Sequence, residues 1–460
     1  MLELLKYRGI QRVYTQKRLI TSFISDKYEK ENELQRILET SSRNQISKPI
    51  QSLLGSICSG GSSKALEPVE NVVELLQSKT DLEHRAIRLA ADLFRIEQCG
   101  NIVSYVVNRN INYTNVCVKR CGFCAFSRTL RKSEEGYLLP LEEIVRRAQE
   151  AADLGATEVC IQAGLLPNVD PNQQVSILQS IKQVLPDIHV HAYSPEEVLF
   201  GAKARKVSIR EHLSSLIDAG LGSMPGTSAE ILNQELRNRI SPGRISVKNW
   251  LEVIRTAHEL GIPTTSTMMY GHVEEPYHVA EHLLLIRKVQ RETKGFTEFV
   301  PLSFVHSEAP MFRSSQGVVK PGPSFDQRLT IHAISRLVLG TDIRNIQASW
   351  VKEGKNGALQ LLDCGVNDLG GTLINESIST AAGSQHGQLL SPTDLRAIAR
   401  QAGRQPRQRS TVYKTIRDFP LHPDPNTKES DPLNSVDPSQ FGSFHELISN
   451  KKFKYDANSS

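Results

Sequence analysis

Three cysteines stand close together in the first half of the chain, at Cys117, Cys121 and Cys124. Their C-x3-C-x2-C spacing puts three thiolates on one short loop. A four-iron cluster needs a ligand at each iron, and these ligands are usually cysteine thiolates. Three thiolates leave one iron open, and an open iron can bind a small molecule instead of only passing electrons. The triplet therefore predicts a [4Fe–4S] cluster that takes part in chemistry.

The alternative for the triplet is a structural zinc site, which needs four Cys or His ligands in a closed tetrahedral arrangement. Apart from the triplet, no Cys or His lies between Cys99 and Cys160. The spacing therefore favours the iron–sulfur cluster. A non-catalytic iron–sulfur or zinc protein is the rival from outside the enzymes.

The composition is that of a large globular protein. The chain has 460 residues, 39% of them hydrophobic, and a net charge of +5. So small a charge excess does not indicate nucleic acid or a membrane surface. Seven cysteines, an odd number, do not suit a disulfide framework. With no membrane-spanning apolar run and no signal-peptide or transit-peptide pattern, we expect a cytoplasmic protein.

Eight predicted strands alternate with helical segments, which indicates a parallel sheet. Their span, Ile111–Leu373, matches the roughly 250 residues of a (β/α)8 barrel. We therefore predict an α/β fold with a TIM-type barrel, although a doubly wound open sheet would show the same rhythm. The predicted strands are Ile111–Thr114, Thr157–Gly164, Ile188–Tyr193, Leu221–Pro225, Thr264–Tyr270, Phe296–Val305, Ile343–Trp350 and Cys364–Leu373.

Composition divides the chain into five expected segments. The first and last are peripheral, because they are polar or rich in Ser, Gly and Pro. The segments are an N-terminal extension over 1–68 with a flexible linker at Ser56–Ser63, a helical lead-in over 69–100, the barrel core over 101–375, a helical and basic segment packing on the core over 376–417, and a largely disordered tail over 418–460.

Active sites of βα barrels lie on the loops that follow the carboxyl ends of the strands. The cysteine loop occupies such a position, and its Phe123 suits stacking on an adenine ring or packing beneath the loop. Each further candidate for cofactor binding also has an ordinary explanation, as a turn glycine, a first-turn acid or a core residue. These candidates are Gln162, Gly164, Glu230, Met269 and Tyr270.

Three residues are candidates for catalysis. Glu298 is a carboxylate in an otherwise apolar predicted strand, where it needs a partner; a structural salt bridge is its alternative. His272 follows the fifth predicted strand, and Tyr193 ends the third. Another group near the last two strands suits hydrogen bonds to a heterocycle and a polyol, or consists of ordinary loop residues: Gln347, Ser349, Trp350, Lys352, Asn367 and Asp368.

The linear run of motifs resembles one radical S-adenosylmethionine (SAM) family, the tyrosine-using component of FO synthase. The resemblance covers roughly residues 101–413, and it departs from the family pattern at Ala163 and in the long extensions at both ends. The motifs are Cys-Gly-Phe-Cys-Ala-Phe at 121–126, Met-Pro-Gly-Thr-Ser-Ala-Glu at 224–230, Thr-Thr-Ser-Thr-Met-Met-Tyr-Gly-His-Val-Glu at 264–274, Phe-Thr-Glu-Phe-Val-Pro-Leu-Ser-Phe-Val-His at 296–306 and Asn-Asp-Leu-Gly-Gly-Thr-Leu at 367–373.

The resemblance implies a reaction. The open iron of the cluster would chelate SAM, and a 5′-deoxyadenosyl radical would take a hydrogen atom from L-tyrosine. The tyrosine Cα–Cβ bond would break, and the 4-hydroxybenzyl fragment would add to C5 of 5-amino-6-(D-ribitylamino)uracil. A separate cyclising radical SAM component and an electron donor are the implied partners. The alternative within the class is a menaquinone-pathway enzyme that acts on a futalosine-type substrate.

Overall fold

The structure is a computed structural model that describes residues 23–39, 45–129, 134–168, 170–424 and 429–456. Parts of the expected N-terminal extension, and residues 425–428 and 457–460 of the expected tail, lie outside these ranges. The strands are β1 (Ile102–Val106), β2 (Asn108–Ile111), β3 (Glu158–Ile161), β4 (His189–Ala192), β5 (Thr264–Tyr270), β6 (Phe296–Ser303), β7 (Asp368–Gly371), β8 (Gln405–Arg409) and β9 (Thr415–Asp418).

Helices alternate with these strands and also precede them. They are α1 (residues 23–39), α2 (Lys48–Ser56), α3 (Ser62–Ala65), α4 (Val69–Leu76), α5 (Asp81–Cys99), α6 (Leu141–Asp153), α7 (Gln173–Val184), α8 (Pro195–Arg205), α9 (Ile209–Asp218), α10 (Gln234–Ile240), α11 (Val247–Glu259), α12 (Pro276–Thr293), α13 (Pro310–Ser314), α14 (Phe325–Leu339), α15 (Trp350–Leu361), α16 (Ile378–Ala381), α17 (Pro392–Gln401) and α18 (Phe444–Ser449).

The strands close into a parallel barrel, which confirms the predicted fold class. β2, β3 and β4 form one parallel sheet, β5 pairs with β6, and β1 pairs with β7. Because single parallel bridges join these pieces into one circuit, the sheet is closed and not an open doubly wound sheet. The bridges are Arg109 with Ile374, His191 with Ser223, Met224 with Thr264, Phe299 with Ile346, and Gln347 with Asp368.

Three of the eight predicted strands differ from the observed ones by more than the position of their ends. The predicted strands Leu221–Pro225 and Ile343–Trp350 contribute only isolated bridge residues to the barrel. The first strand begins at Ile102, nine residues before its predicted start, and β2 ends at Ile111. The apolar run after α5 is therefore the first barrel strand, and it lies within the core that the sequence predicts from residue 101 onward.

The predicted linker Ser56–Ser63 is helical in the structure. A π-helical turn, Ile57–Gly61, joins α2 to α3, with Gly60 at a φ of 89°. Ile57 is buried in the core, which gives the segment an anchor that its small polar composition conceals. The segment is therefore helical and anchored to the core, where the sequence predicts a flexible linker.

The segment predicted as helical and basic over 376–417 ends in a strand. α17 supplies the helical part, but β8 then pairs in parallel with β1 and antiparallel with β9. Arg409 on β8 is buried, and its guanidinium donates to both carboxylate oxygens of Asp368, at 2.6 and 2.8 Å. The sequence predicts a basic segment that packs on the core, but it does not show that Asp368, far away in the chain, neutralises Arg409.

Residues 429–456 pack against the barrel, although the sequence predicts a largely disordered tail from residue 418 onward. Phe444 lies against Phe126, with ring centroids 5.5 Å apart, and Lys454 forms an antiparallel bridge with Tyr137. The buried apolar residues of the segment are too widely spaced to show a helical or strand period. They are Leu433, Phe444, Phe453 and Tyr455.

No helix in the described part of the chain is both long and apolar enough to cross a membrane.

Replacement of Arg409 by methionine should destabilise the fold by about 3–5 kcal/mol, because it leaves the buried Asp368 carboxylate without its ion partner. The matched control is Arg407→Met on the same strand. Arg407 pairs with Asp418 at 2.6 Å near the surface, so its loss should cost less than about 1 kcal/mol. Urea unfolding of the cluster-free variants measures both values, and equal losses would contradict the assigned burial.

Candidate active site

A cavity of about 370 Å3 opens at the carboxyl ends of the barrel strands. Cys117, Cys121 and Cys124 all line it. Residues that follow β3, β4 and the bridge at Ser223 line it as well, which is the position expected for the active site of a βα barrel. The cysteine loop and the strand ends therefore face one shared space.

The cysteine loop is held by backbone hydrogen bonds to distant parts of the chain. The Cys117 N–H donates to the Arg128 carbonyl at 3.0 Å, and the Val118 N–H donates to the Leu165 carbonyl at 2.9 Å. At the loop tip, the Gly122 N–H donates to the last residue of α10 at 2.8 Å, and its carbonyl accepts from an N–H of α13 at 2.7 Å. These bonds fix the loop without a helix or strand of its own.

Gly164 lets the loop after β3 pass directly against the cysteine loop. Its N–H donates to the Thr114 carbonyl at 2.9 Å. A Cβ at this position would lie 2.2 Å from the Val116 carbonyl oxygen, a separation far inside van der Waals contact. Only glycine fits here, and the reason is contact with the cysteine loop itself.

Arg244 places a positive charge beside the thiols. Its guanidinium lies 3.5 Å from the Cys121 sulfur and 3.0 Å from the Glu230 carboxylate. It also lies over the Phe123 ring, 5.3 Å from the centroid. Burial raises the pKa of the Cys121 thiol to about 12, so a thiolate at this site needs a cation or a metal to stabilise it.

Two carboxylates enter the cavity from the first turn of α8. Ser194 caps this helix and forms a capping box with Glu197. This geometry fixes the Ser194 and Glu197 side chains at the start of the helix. Glu197 also accepts the Ala163 N–H at 3.0 Å, and burial raises its pKa to about 7. Glu196 pairs with Lys119 at 3.2 Å. The helix therefore joins the cysteine loop to the loop after β3.

Five of the candidates predicted for cofactor binding line this cavity together with the cysteines. The Gln162 side-chain oxygen accepts from the Thr227 hydroxyl at 3.0 Å. Glu230 is held by Arg244 and by Arg237, the latter at 3.2 Å. The five are Phe123, Gln162, Gly164, Glu230 and Met269.

Tyr270 and His272 lie outside the cavity, contrary to the prediction. Side chains alternate along a strand, so Met269 faces the cavity and Tyr270 points to the outside of the barrel, where it lines a separate pocket. The His272 ring is buried and contacts the Met269 carbonyl and the Glu274 carboxylate, at 3.1 and 3.2 Å. Neither residue is retained as a cofactor or substrate contact.

Tyr193 and Glu298 are also absent from the cavity wall. The Tyr193 hydroxyl donates to the Gln174 carbonyl at 2.9 Å, beneath a helix. The Glu298 carboxylate accepts hydrogen bonds from Tyr413 and Arg409, near the amino ends of the strands. The structural salt bridge, which was the alternative for Glu298, is the arrangement found, and the predicted catalytic roles of both residues are corrected.

The sequence interpretation did not identify several cavity residues. Arg244 and Glu196 lie in a helix-linking loop and a helix start, with no strand-end motif to mark them. Two members of the polar group that the sequence did predict, Ser349 and Lys352, line the cavity, and the other four members are absent from its lining. Glu376, from the loop after β7, also lines it, and its only sequence signal is its position after a strand.

The donor set fits a multi-iron cluster better than a single metal ion. In the ranges that the structure describes, no three His, Cys, Asp or Glu side chains are grouped to hold one ion. A closed zinc site requires such a group. A [4Fe–4S] cluster spreads its thiolates over separate irons, which suits three cysteines that share a cavity wall beside a guanidinium.

Two family models match the chain: the Radical SAM superfamily over residues 111–286 and the CofH/MqnC C-terminal region over residues 293–422. Methylornithine synthase PylB has a similar fold, with a TM-score of 0.60 at 18% identity over 77% of this chain and 97% of that one. The barrel, the cysteine loop at its carboxyl end and the superfamily match define this protein as a radical SAM enzyme. That class implies a [4Fe–4S] cluster and SAM.

Comparison with curated proteins narrows the radical SAM class to one family. The 5-amino-6-(D-ribitylamino)uracil–L-tyrosine 4-hydroxyphenyl transferase of Methanocaldococcus jannaschii is 49% identical over 71% of this chain and 91% of its own length. The protein of the same name from Methanothermobacter thermautotrophicus is 45% identical over 76% and 95%. The FO synthase of Streptomyces avermitilis is 46% identical over 72% of this chain and 38% of its own length. The chain belongs to the family of these 4-hydroxyphenyl transferases.

Gly164→Ala should reduce the amount of cluster that the protein retains, because the added methyl group displaces the cysteine loop at Val116. The control is Gly55→Ala in α2, where a Cβ has nothing within 4 Å. Iron and sulfide per chain after anaerobic reconstitution are the measurement. Full iron and sulfide content in Gly164→Ala would contradict the assigned contact.

Proposed function

We propose that this protein cleaves L-tyrosine and adds its 4-hydroxybenzyl group to C5 of 5-amino-6-(D-ribitylamino)uracil, which gives the precursor of the deazaflavin FO. One observation carries the proposal: three cysteines line a single cavity at the carboxyl end of the barrel, in a chain 49% identical to a protein named for this transfer. The cavity supplies one place in which both substrates can meet.

The family implies a [4Fe–4S] cluster and SAM as cofactors, and when bound they would supply the radical chemistry that removes a hydrogen atom from the substrate. Cys117, Cys121 and Cys124 would hold the cluster. The lining residues that lie beside the cysteines would hold SAM: Phe123, Gln162, Gly164, Glu230 and Met269.

The chain's own residues would position the reactants and exclude water. Arg237 and Arg244 fix the Glu230 carboxylate in one orientation, so it can accept a hydrogen bond from a bound ligand without rearranging. Leu302 and Phe304 give the wall at the end of β6 an apolar surface. An apolar wall keeps water away from reactive intermediates.

The two alternative functions have less support. A menaquinone-pathway enzyme acting on a futalosine-type substrate would share the barrel and the cysteine triplet, but the curated relatives described above are named for the tyrosine reaction or for FO synthase. A non-catalytic iron–sulfur or zinc protein would not need the large cavity beside the cysteines.

Two partners complete the proposal. A separate cyclising radical SAM component would close the deazaflavin ring, and an electron donor would reduce the cluster. We place both, with this protein, in a reducing cytoplasm, where an exposed iron–sulfur cluster survives.

The substrate assignment is tested with the anaerobically reconstituted protein, a reductant and SAM. Formation of 5′-deoxyadenosine should rise strongly when L-tyrosine and the ribitylaminouracil are both present. A rise with a futalosine-type substrate, and none with tyrosine plus the uracil, would refute the proposal.

Cys121→Ala should abolish SAM cleavage while the barrel stays folded, because the remaining two thiolates cannot hold the site-differentiated cluster. Cys58→Ala is the control, since Cys58 is exposed and distant in sequence from the triplet. SAM cleavage is measured by 5′-deoxyadenosine release, and circular dichroism monitors the fold. Cleavage at the unmodified rate in Cys121→Ala would rule out its role as a ligand.

A further inference from the structure

One basic side chain in the cavity has no hydrogen-bond or ion-pair partner among the residues that the structure describes. Three basic residues line the cavity: Lys119, Arg244 and Lys352. Lys119 pairs with Glu196, and Arg244 pairs with Glu230. Within the described ranges, the Lys352 ammonium makes no hydrogen bond or ion pair with any side chain or carbonyl. Lys352 is therefore a cavity cation whose charge is not neutralised by direct contact.

Lys352 lies in the first turn of α15, which begins at Trp350. This helix follows closely after Gln347, whose bridge to Asp368 is part of the barrel. Its neighbour in the helix, Glu353, is already engaged by the Ser303 hydroxyl at 2.7 Å and by Arg328 at 3.0 Å. Burial lowers the pKa of Lys352, as expected for an ammonium that has lost water without gaining a contact. A ligand with a negative group would stabilise the ammonium in place of the water that burial has removed.

Glu376 provides a negative charge in the same cavity. It lines the wall in the loop after β7, and its carboxylate accepts the Ser379 and Thr380 N–H groups at 2.8 and 3.4 Å. A carboxylate has about four acceptor positions, so these two bonds leave capacity for a ligand. Glu376 and Lys352 influence each other electrostatically but are not within ion-pair distance.

The two chain segments that carry these residues also line the cavity with apolar side chains and with two serines, Ser349 and Ser379. The same two chain segments contribute four hydrophobic side chains to the cavity lining: Val351, Leu373, Ile378 and Ala382. The site thus combines a positive group and a negative group, held apart, with a surface suited to an apolar or aromatic side chain. These are the three features of an aromatic α-amino acid zwitterion.

We propose that Lys352 and Glu376 bind the amino-acid substrate, Lys352 through its carboxylate and Glu376 through its ammonium group. This assignment rests on the proposed function. The uracil substrate carries a neutral heterocycle and a neutral polyol, so it offers no charge that would offset the half-buried Lys352 ammonium and the buried Glu376 carboxylate. The amino acid offers both charges with matching signs.

The test measures equilibrium binding to the reconstituted holoenzyme with SAM and without reductant, so that no turnover occurs. L-tyrosine is compared with tyramine, which lacks the carboxylate. Lys352→Met should weaken binding of tyrosine about 10- to 100-fold, the range for a hydrogen bond between charged groups. The binding of tyramine should change little. The ratio of the two affinities, tyrosine over tyramine, should therefore fall by about the same factor.

Glu376→Gln is tested with 3-(4-hydroxyphenyl)propanoate, which lacks the amine. This variant should weaken tyrosine binding and leave binding of the propanoate nearly unchanged. The matched control is Lys355→Met on the same helix, because Lys355 is exposed and pairs with Asp394 at 2.9 Å outside the cavity. The control should bind every ligand as the unmodified protein does.

Several outcomes would overturn the assignment. Equal losses of tyrosine and tyramine in Lys352→Met would indicate a structural role, and weakened SAM binding with unchanged tyrosine binding would assign the pair to SAM. If the unmodified protein converts tyrosine but Lys352→Met binds it normally, only this inference fails. If the unmodified protein neither binds nor converts tyrosine, the proposed function fails with it.

Discussion

The fixed position of the cysteine loop is the constraint on which the rest of the structure depends. Three thiolates must face one cavity, yet the loop that carries them has no helix or strand to hold it. Backbone hydrogen bonds from the loop after β3, from α10 and from α13 do so instead. The contact at Gly164 has no room for a side chain. The barrel therefore acts as a frame that brings these distant segments to the same rim.

The two ends of the barrel carry buried charges with different roles. At the amino ends of the strands, Arg409 neutralises Asp368 and contacts Glu298, and β8 holds this network in place. At the carboxyl ends, Arg244 and its partner Glu230 lie beside Cys121. Lys352 lines the same cavity and has no ion-pair partner in the described part of the chain. The paired charges contribute to folding, and the unpaired charge at the mouth is where a ligand's charge is needed.

The sequence predicts the features that depend on local spacing. The cysteine triplet, the βα rhythm and the strand-end positions of Gln162, Gly164 and Met269 follow from periodicity and motif. It does not reveal which face of a strand a residue takes near a strand end, so Tyr270 was misplaced beside Met269. The predictions for Glu298 and for the packed segment 429–456 are wrong because the partners of these residues lie far away in the chain.

The central claim is that the protein transfers the tyrosine side chain to the uracil within this cavity. It is tested most directly with L-tyrosine carrying 13C at Cβ, incubated with the reconstituted protein, SAM, reductant and the ribitylaminouracil. The account predicts that the product contains the labelled carbon as the methylene group bonded to C5 of the uracil. A uracil product without the label, or a label that stays with the amino-acid backbone, would contradict it.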